Sequence, residues 1–233
     1  MTNKKLVEIT AKTGKQESDT RQKLLDVAEQ LFAEQGHEAT SLRQITALAN
    51  ANLGAVNYHF GTKEGLIEEV FKRRLKQLNQ MRTERLDELE AAAAESGEPV
   101  KASEILNAFF GTLVKMAFSD NNAVWSLLER TMLDPGKFIS TVFADESAEV
   151  MERYKAALYK ALPLVPREEI LWRFQFMLGA TAYALSGTGP LSEIMGIEIN
   201  HNEDPEVALD KLLKRLMSFL IGGLRAPLAN TNQ

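Results

Sequence analysis

Residues 40–63, TSLRQITALANANLGAVNYHFGTK, decide the fold, because they read as two short helices joined by one sharp corner. Leu42, Ile45, Leu48 and Ala49 recur at helical spacing, so the first helix carries a single apolar stripe. Thr40 or Ser41 stands where an N-cap oxygen accepts from free backbone N–H groups. Asn50-Ala51-Asn52 then breaks the pattern. Asparagine is the non-glycine residue best suited to a left-handed backbone, and a helix-turn-helix needs such a corner. The second helix, Leu53 to Phe60, has only Leu53, Val56 and Phe60 as inward anchors. Gly54, Ala55, Asn57, Tyr58 and His59 are left to face outward or pack shallowly. A helix so slim and lightly charged fits a DNA major groove, where small side chains permit close approach.

Working outward, the preceding helix is expected to start near Ser18-Asp19 and to stop at Gly36, with Leu24, Ala28, Leu31 and Phe32 as its buried stripe. Residues 1–17, with Lys4, Lys5, Lys12 and Lys15, show little periodicity and read as a flexible arm: a solubilising tail on composition, or a basic arm lying along DNA. After the motif, Lys63 opens a long helix through Leu66, Ile67, Val70, Phe71, Leu75 and Leu78, ending near Ser96-Gly97-Glu98-Pro99. Its charges at Arg82, Glu84, Arg85, Asp87 and Glu88 read as a solvated face with i,i+4 pairs.

The rest of the chain continues all-α. Helical patterns cover Ala102 to Phe118, Ala123 to Leu133 (stopped by Asp134-Pro135-Gly136) and Ile139 to Leu162. Pro166, Glu168 and Glu169 open a further helix whose run ILWRFQFMLGATAYALSG is apolar on nearly all sides, and a last helix runs from Asp204 or Pro205 to Leu224. A helix that is apolar all round needs cover on every face. Two such helices from each of two copies would build a four-helix bundle across a twofold axis, with Leu178, Ala182, Leu212, Leu216 and Phe219 at the interface; burial within one subunit is the alternative.

Composition sets the class. The 233 residues are 45% hydrophobic and 25% charged, which is ordinary globular material with room for one core plus a smaller module. There is no cysteine, so disulfides and thiol chemistry are excluded. Met1 to Glu17 contains no apolar signal-peptide core, and no apolar run is long enough to span a bilayer, so a cytoplasmic protein without membrane association is expected. The net charge of −5 is unevenly placed: residues 1–82 carry 13 Lys+Arg against 10 Asp+Glu, and residues 83–233 carry 14 against 22. A mildly basic module on an acidic body suits a chain that meets phosphates at one end. His37, His59 and His201 are far apart and none has a partner at metal-binding helical spacing; phosphate loops, GxSxG and cysteine nucleophiles are also missing. No enzyme, metal or cofactor is expected.

Gly36, Thr40-Ser41-Leu42, Ile45, Ala49 and Tyr58-His59-Phe60-Gly61-Thr62-Lys63-Glu64 with Leu66 together resemble the DNA-binding domain of the TetR family of one-component bacterial regulators. The resemblance covers roughly residues 18–70. Asn50 stands where that family usually has a turn glycine, and Asn57 where it usually has an aromatic. The runs NLGAVNYHFG and FQFMLGATAYALSG are similar to its PsrA-like subgroup of fatty-acid-responsive regulators. The expected organisation is therefore an arm (1–17), a three-helix helix-turn-helix domain (18–64), a larger helical effector-binding and dimerisation domain (65–226) and a tail (227–233). The resemblance implies a homodimeric repressor on palindromic double-stranded operator DNA, in which ligand binding displaces the long helix and changes the separation of the two heads.

On that reading Thr40, Ser41, Tyr58, His59 and Lys63 bond phosphates, while Arg43, Leu53, Gly54, Ala55 and Asn57 meet base edges. An apolar pocket between residues 102 and 187, lined by Phe109, Met116, Trp125 and Phe176, would take a small hydrophobic effector, a long-chain fatty acid or acyl-CoA, with Arg173 or Arg130 at its head group. Those aromatics equally suit plain core. The alternatives are a repressor of an efflux system that answers to a hydrophobic drug, and an architectural DNA binder with no effector.

Overall fold

The computed structural model describes residues 2–119, 137–186 and 204–228, with side chains over 18–118, 141–185 and 204–228. Every regular element among them is helical: α1 (Thr2–Ala39), α2 (Leu42–Leu48), α3 (Leu53–Phe60), α4 (Lys63–Ser96), α5 (Ala102–Leu106), a π-helical turn (Asn107–Gly111), α6 (Thr112–Ser119), α7 (Lys137–Ala161), α8 (Arg167–Ser186) and α9 (Pro205–Leu224). No described helix is long and apolar enough to cross a membrane. The chain forms two compact units that divide inside α4, between Arg74 and Leu75 rather than at 64/65.

In the smaller unit α1 is helical from Thr2, so the irregular arm expected over 1–17 is replaced by helix; no proline interrupts this stretch of helix-forming Lys, Glu, Gln and Ala. Its regular path breaks at Gly36 (φ 79, ψ 157), a backbone region open to glycine. Leu24, Leu25, Ala28, Leu31 and Phe32 are buried, and so are Leu66, Ile67, Val70 and Phe71 of α4. Ion pairs stitch α1 to the start of α4: Arg21 with Glu69, Arg73 with Asp26 and Glu29, and Arg74 with Glu29. These pairs explain why the unit extends to Arg74.

The larger unit is built on rings. Phe109 stands 5.0 Å from Phe110, 5.0 Å from Tyr154 and 4.9 Å from Phe174 between centroids, all edge-on, the arrangement that ring quadrupoles favour. Leu86, Ile105, Val114, Ile170, Met177 and Leu220 close the core around them. The last helix is capped as its first residues dictate: Asp204 accepts from the Glu206 N–H at 2.8 Å and Pro205 holds the first turn. Arg82, expected on a solvated face, is only 3% exposed, because it occupies the same inward stripe of α4 as Leu75, Leu78 and Leu86.

Candidate nucleic-acid interface

The corner is made as the residues require. α2 begins with a capping box: Ser41 Oγ accepts from the Gln44 N–H, and Gln44 Oε1 accepts from the Ser41 N–H at 2.8 Å. Asn50 takes φ 50, the left-handed conformation foreseen for it, and Asn52 caps α3 by accepting from the Ala55 N–H at 2.8 Å. Ile45, Ala49 and Val56 are buried and hold the two helices together. Leu48 departs from the expected stripe and is 66% exposed. It is turned about 100° from Ala49 on a seven-residue helix, beyond the reach of the packed face.

The sequence-derived DNA residues separate into groups. Arg43, Leu53, Gly54, Asn57 and Tyr58 are exposed, and Ala55, His59 and Lys63 are half-buried. Thr40 does not belong with them: it is 1% exposed and its hydroxyl donates to the Gly36 carbonyl at 2.8 Å, closing the end of α1. The Ser41 hydroxyl is likewise engaged within its capping box. By contrast, the side chains of Arg43, Asn57 and Tyr58 have no hydrogen-bond or ion-pair partner among the described residues, and Tyr58 is 73% exposed, its ring edge-on to His59 at 5.0 Å. Lys63 reaches the Glu38 carbonyl at 3.5 Å. Thr62 accepts from the Gly65 N–H at 3.1 Å, and Glu64 is held below the usual carboxylate range by backbone N–H donation at the helix start and by Thr62.

The expected effector-lining set is not brought together. Phe109 and Met116 are buried in the core at 1% and 3% exposure, whereas Phe176 points outward at 65%. Trp125, Arg130, His201 and the Ala123–Leu133 helix lie outside the described residues, as do Gly187 and the end of the tail. Arg173 is not available to a ligand head group: it binds Glu169 at 2.8 Å and the Leu224 and Pro227 carbonyls at 2.6 and 3.2 Å, tying α8 to the end of α9. A groove of about 460 Å³ does open elsewhere in this unit, lined by Leu86, Ala93, Ala94, Val100, Ile105 and Ala157, with Glu90, Glu98 and Lys160 along it. No three His, Asp or Glu side chains gather as a metal site among the described residues.

The dimer residues divide similarly. Phe219 is 67% exposed, Leu178 and Leu212 are half-buried, and Ala182 and Leu216 are buried in the protomer's own core, which leaves them almost no area to offer a partner. An apolar stripe that the sequence did not single out is open instead on α8: Leu171, Trp172, Phe176 and Tyr183 are exposed, and a Cβ at Gly179 would meet nothing. On α9 the side of Phe219 continues into Gly222 and Gly223, equally open.

Comparison with known proteins agrees with this architecture. A family model described as "Bacterial regulatory proteins, tetR family" matches residues 24–70, and one described as "Tetracyclin repressor-like, C-terminal domain" matches residues 107–223. The HTH-type transcriptional regulator AcrR of Shigella flexneri is 35% identical over 89 residues, which is 38% of this chain and 39% of that protein. The likeness to this curated relative thus spans well under two thirds of its length. Among solved structures, the fatty acid degradation regulator FadR from Bacillus halodurans aligns with a TM-score of 0.58 at 15% identity, over 89% of this chain and 97% of that one. FadR from Bacillus subtilis, solved in complex with stearoyl-CoA, aligns with a TM-score of 0.58 at 14% identity, over 84% and 97%. At these identities the structural likeness establishes the fold alone.

Proposed function

The chain belongs to the TetR family of bacterial transcriptional regulators, and on that premise we propose that it is a ligand-responsive repressor that holds a palindromic operator as a homodimer. The observation that carries the DNA reading is the division of labour on α2 and α3. Ser41, Gln44 and Asn52 are consumed by caps, while Arg43, Asn57 and Tyr58 are exposed with no side-chain hydrogen bond or ion pair among the described residues. Arg43 suits guanine and Asn57 adenine in the major groove, with Leu53 and Gly54 close enough for thymine methyls. Tyr58, His59 and Lys63 supply phosphate contacts and set register. Asn57→Ala is expected to cost about 1–3 kcal/mol at one base pair and to relax preference there. Lys63→Ala is expected to weaken all sequences alike and to reduce the salt slope. Titrating specific and scrambled duplexes at several salt concentrations separates the two; an equal loss on both duplexes for Asn57→Ala would end its base-reading role.

Two recognition helices about 34–36 Å apart or slightly more would reach successive major grooves, which requires a dimer. The open stripe of α8 and the Phe219 side of α9 supply the apolar area. Phe176→Glu is expected to raise the dimer dissociation constant at least about thirtyfold, the size of a ~2 kcal/mol interface anchor. Sedimentation equilibrium reads this directly, and unchanged self-association would exclude the stripe.

Transcription rather than catalysis is proposed for the whole chain, with a long-chain fatty acid or acyl-CoA as effector. The matching fold of a regulator solved with stearoyl-CoA supports that choice. A second reading, a cationic hydrophobic effector, draws on Glu90 and Glu98 beside the groove, although Glu90 already pairs with Arg153 at 2.9 Å. DNA binding upstream of the gene, measured with oleoyl-CoA and with a lipophilic cation, decides between them: release by the first supports the acyl reading, release by the second alone replaces it.

A further inference from the structure

We propose that Arg82 is the anchor for the anionic head of an amphiphilic ligand whose apolar tail lies in the groove beginning at Leu86. The inference rests on the reading that the larger unit takes an effector, and it names the charge that effector must carry.

The starting point is a charge in the wrong place. Phe71, Leu75, Leu78, Arg82 and Leu86 follow one another at three- and four-residue intervals down a single face of α4, and all are at most 3% exposed. Four are apolar; the fifth is a guanidinium. Its hydrogen-bond and ring partners among the described residues are neutral: Nε donates to the Phe109 carbonyl at 3.3 Å, Nη1 to Asn79 Oδ1 at 3.4 Å, and the guanidinium carbon lies 3.6 Å from the centroid of the Phe109 ring. Among the described residues no carboxylate faces it, and only two of its five N–H groups are used. The other buried arginine among the described residues shows what a structural role looks like here: Arg173 has Glu169 and the Leu224 and Pro227 carbonyls at the end of α9 and just beyond it. Burial lowers the Arg82 pKa to about 9, so it stays charged at neutral pH. A buried cation without a counter-ion is costly, and a guanidinium fork matches a carboxylate or phosphate better than any other side chain does.

Space and setting agree. The groove of about 460 Å³ starts at Leu86, one helical turn beyond Arg82 on the same stripe; Arg82 itself is not in its lining, which is apolar at Ala93, Ala94, Val100, Ile105 and Ala157 and charged at Glu90, Glu98 and Lys160. The Phe109 carbonyl that Arg82 holds belongs to the π-helical turn Asn107–Gly111, a departure from regular helix of the kind often found at functional sites. An anion that recruits Arg82 competes with that carbonyl, so ligand binding acts on α4 and on the turn together.

The shared chemistry is an oxyanion on a long apolar chain, present in free fatty acids and in acyl-CoA thioesters. The test measures binding of oleate, oleoyl-CoA and methyl oleate to the purified 233-residue protein by calorimetry, for the wild type, Arg82→Met and Arg82→Lys. The expected result is at least tenfold preference for one anionic ligand over the neutral ester in the wild type. That preference falls to near unity in Arg82→Met and survives largely in Arg82→Lys; oleate or oleoyl-CoA as the preferred anion identifies the source. An undiminished preference in Arg82→Met, or no preference in the wild type, overturns the proposal. Arg82→Met keeps the bulk in an apolar core, and Arg82→Lys provides a charged variant should the first not fold. Operator release is read in parallel: Arg82-dependent binding without release would leave the anchor standing and remove the effector-driven repressor reading.

Discussion

Phe109→Ala is expected to lower the stability of the larger unit by about 4 kcal/mol, toward the top of the range for a large buried side chain. The ring is 1% exposed and meets Phe110, Tyr154 and Phe174 at centroid distances near 5 Å. Removing it opens a cavity bounded by three rings that cannot all move inward together, so little of the loss is recovered by collapse. It also takes away the π face over which Arg82 sits, an interaction of about 2 kcal/mol when desolvated. Had Phe109 lined an open ligand pocket, truncation would have created little new void and the cost would be far smaller. Urea unfolding followed by circular dichroism checks this, with Leu164→Ala as the companion variant. Leu164 is 93% exposed, and its loss is expected to stay within about 0.5 kcal/mol. Equal shifts in midpoint for the two variants would show that Phe109 is not a core ring.

That contrast also shows where sequence reasoning reached its limit. Periodicity identifies which residues leave water: Leu24, Ala28, Leu31 and Phe32 are buried, and so are Leu66, Ile67, Val70, Phe71, Leu75 and Leu78. It does not say what a buried residue faces. Phe109 and Met116 suit a cavity wall and plain core equally in the sequence, because both produce the same spacing, and the structure buries them in packed core. Phe176 lies on the opposite side of a helix so uniformly apolar that its faces were indistinguishable in the sequence. The turn chemistry was more legible: Asn50 was read as left-handed and takes φ 50. Thr40 was misplaced because a hydroxyl beside a helix start has two uses, and the carbonyl of Gly36 claims it. Arg82 departs furthest from its expected place. A charged residue in a charged run, Arg82 to Glu88, looks solvated; only its register with Leu75, Leu78 and Leu86 places it inside, and that register was available in the sequence.

Gly65→Ala is the substitution expected to damage the DNA-binding head most for its size. In the interior of most helices this change stabilises by about 1 kcal/mol, since alanine loses less backbone entropy on folding. Here the sign reverses. Gly65 lies in the first turn of α4, and a Cβ built on it would press into the Phe60 carbonyl oxygen, with the carbonyl carbon at 3.3 Å. That carbonyl has no freedom to retreat, because it accepts from the Thr62 N–H at 2.9 Å across a γ-turn centred on Gly61 (φ 75, ψ −64). The next restraint is as tight, with the Gly61 N–H donating to the Asn57 carbonyl at 3.1 Å. The clash is therefore with backbone, and relief requires α3 and α4 to separate at the point where Tyr58, His59 and Lys63 are positioned. Overpacking of this kind costs about 2–3 kcal/mol. Specific DNA affinity is expected to fall at least about tenfold, the equivalent of ~1.4 kcal/mol, while self-association through the interface proposed on α8 and α9 is expected to be unchanged. Gly36→Ala separates steric from conformational causes: nothing lies within 4 Å of a Cβ there, so its cost comes only from the positive φ and should be the smaller of the two. If Gly65→Ala instead melted at or above the wild-type temperature with full DNA affinity, the close approach of α4 to the Phe60 carbonyl would be wrong, and with it the geometry that fixes the recognition helix.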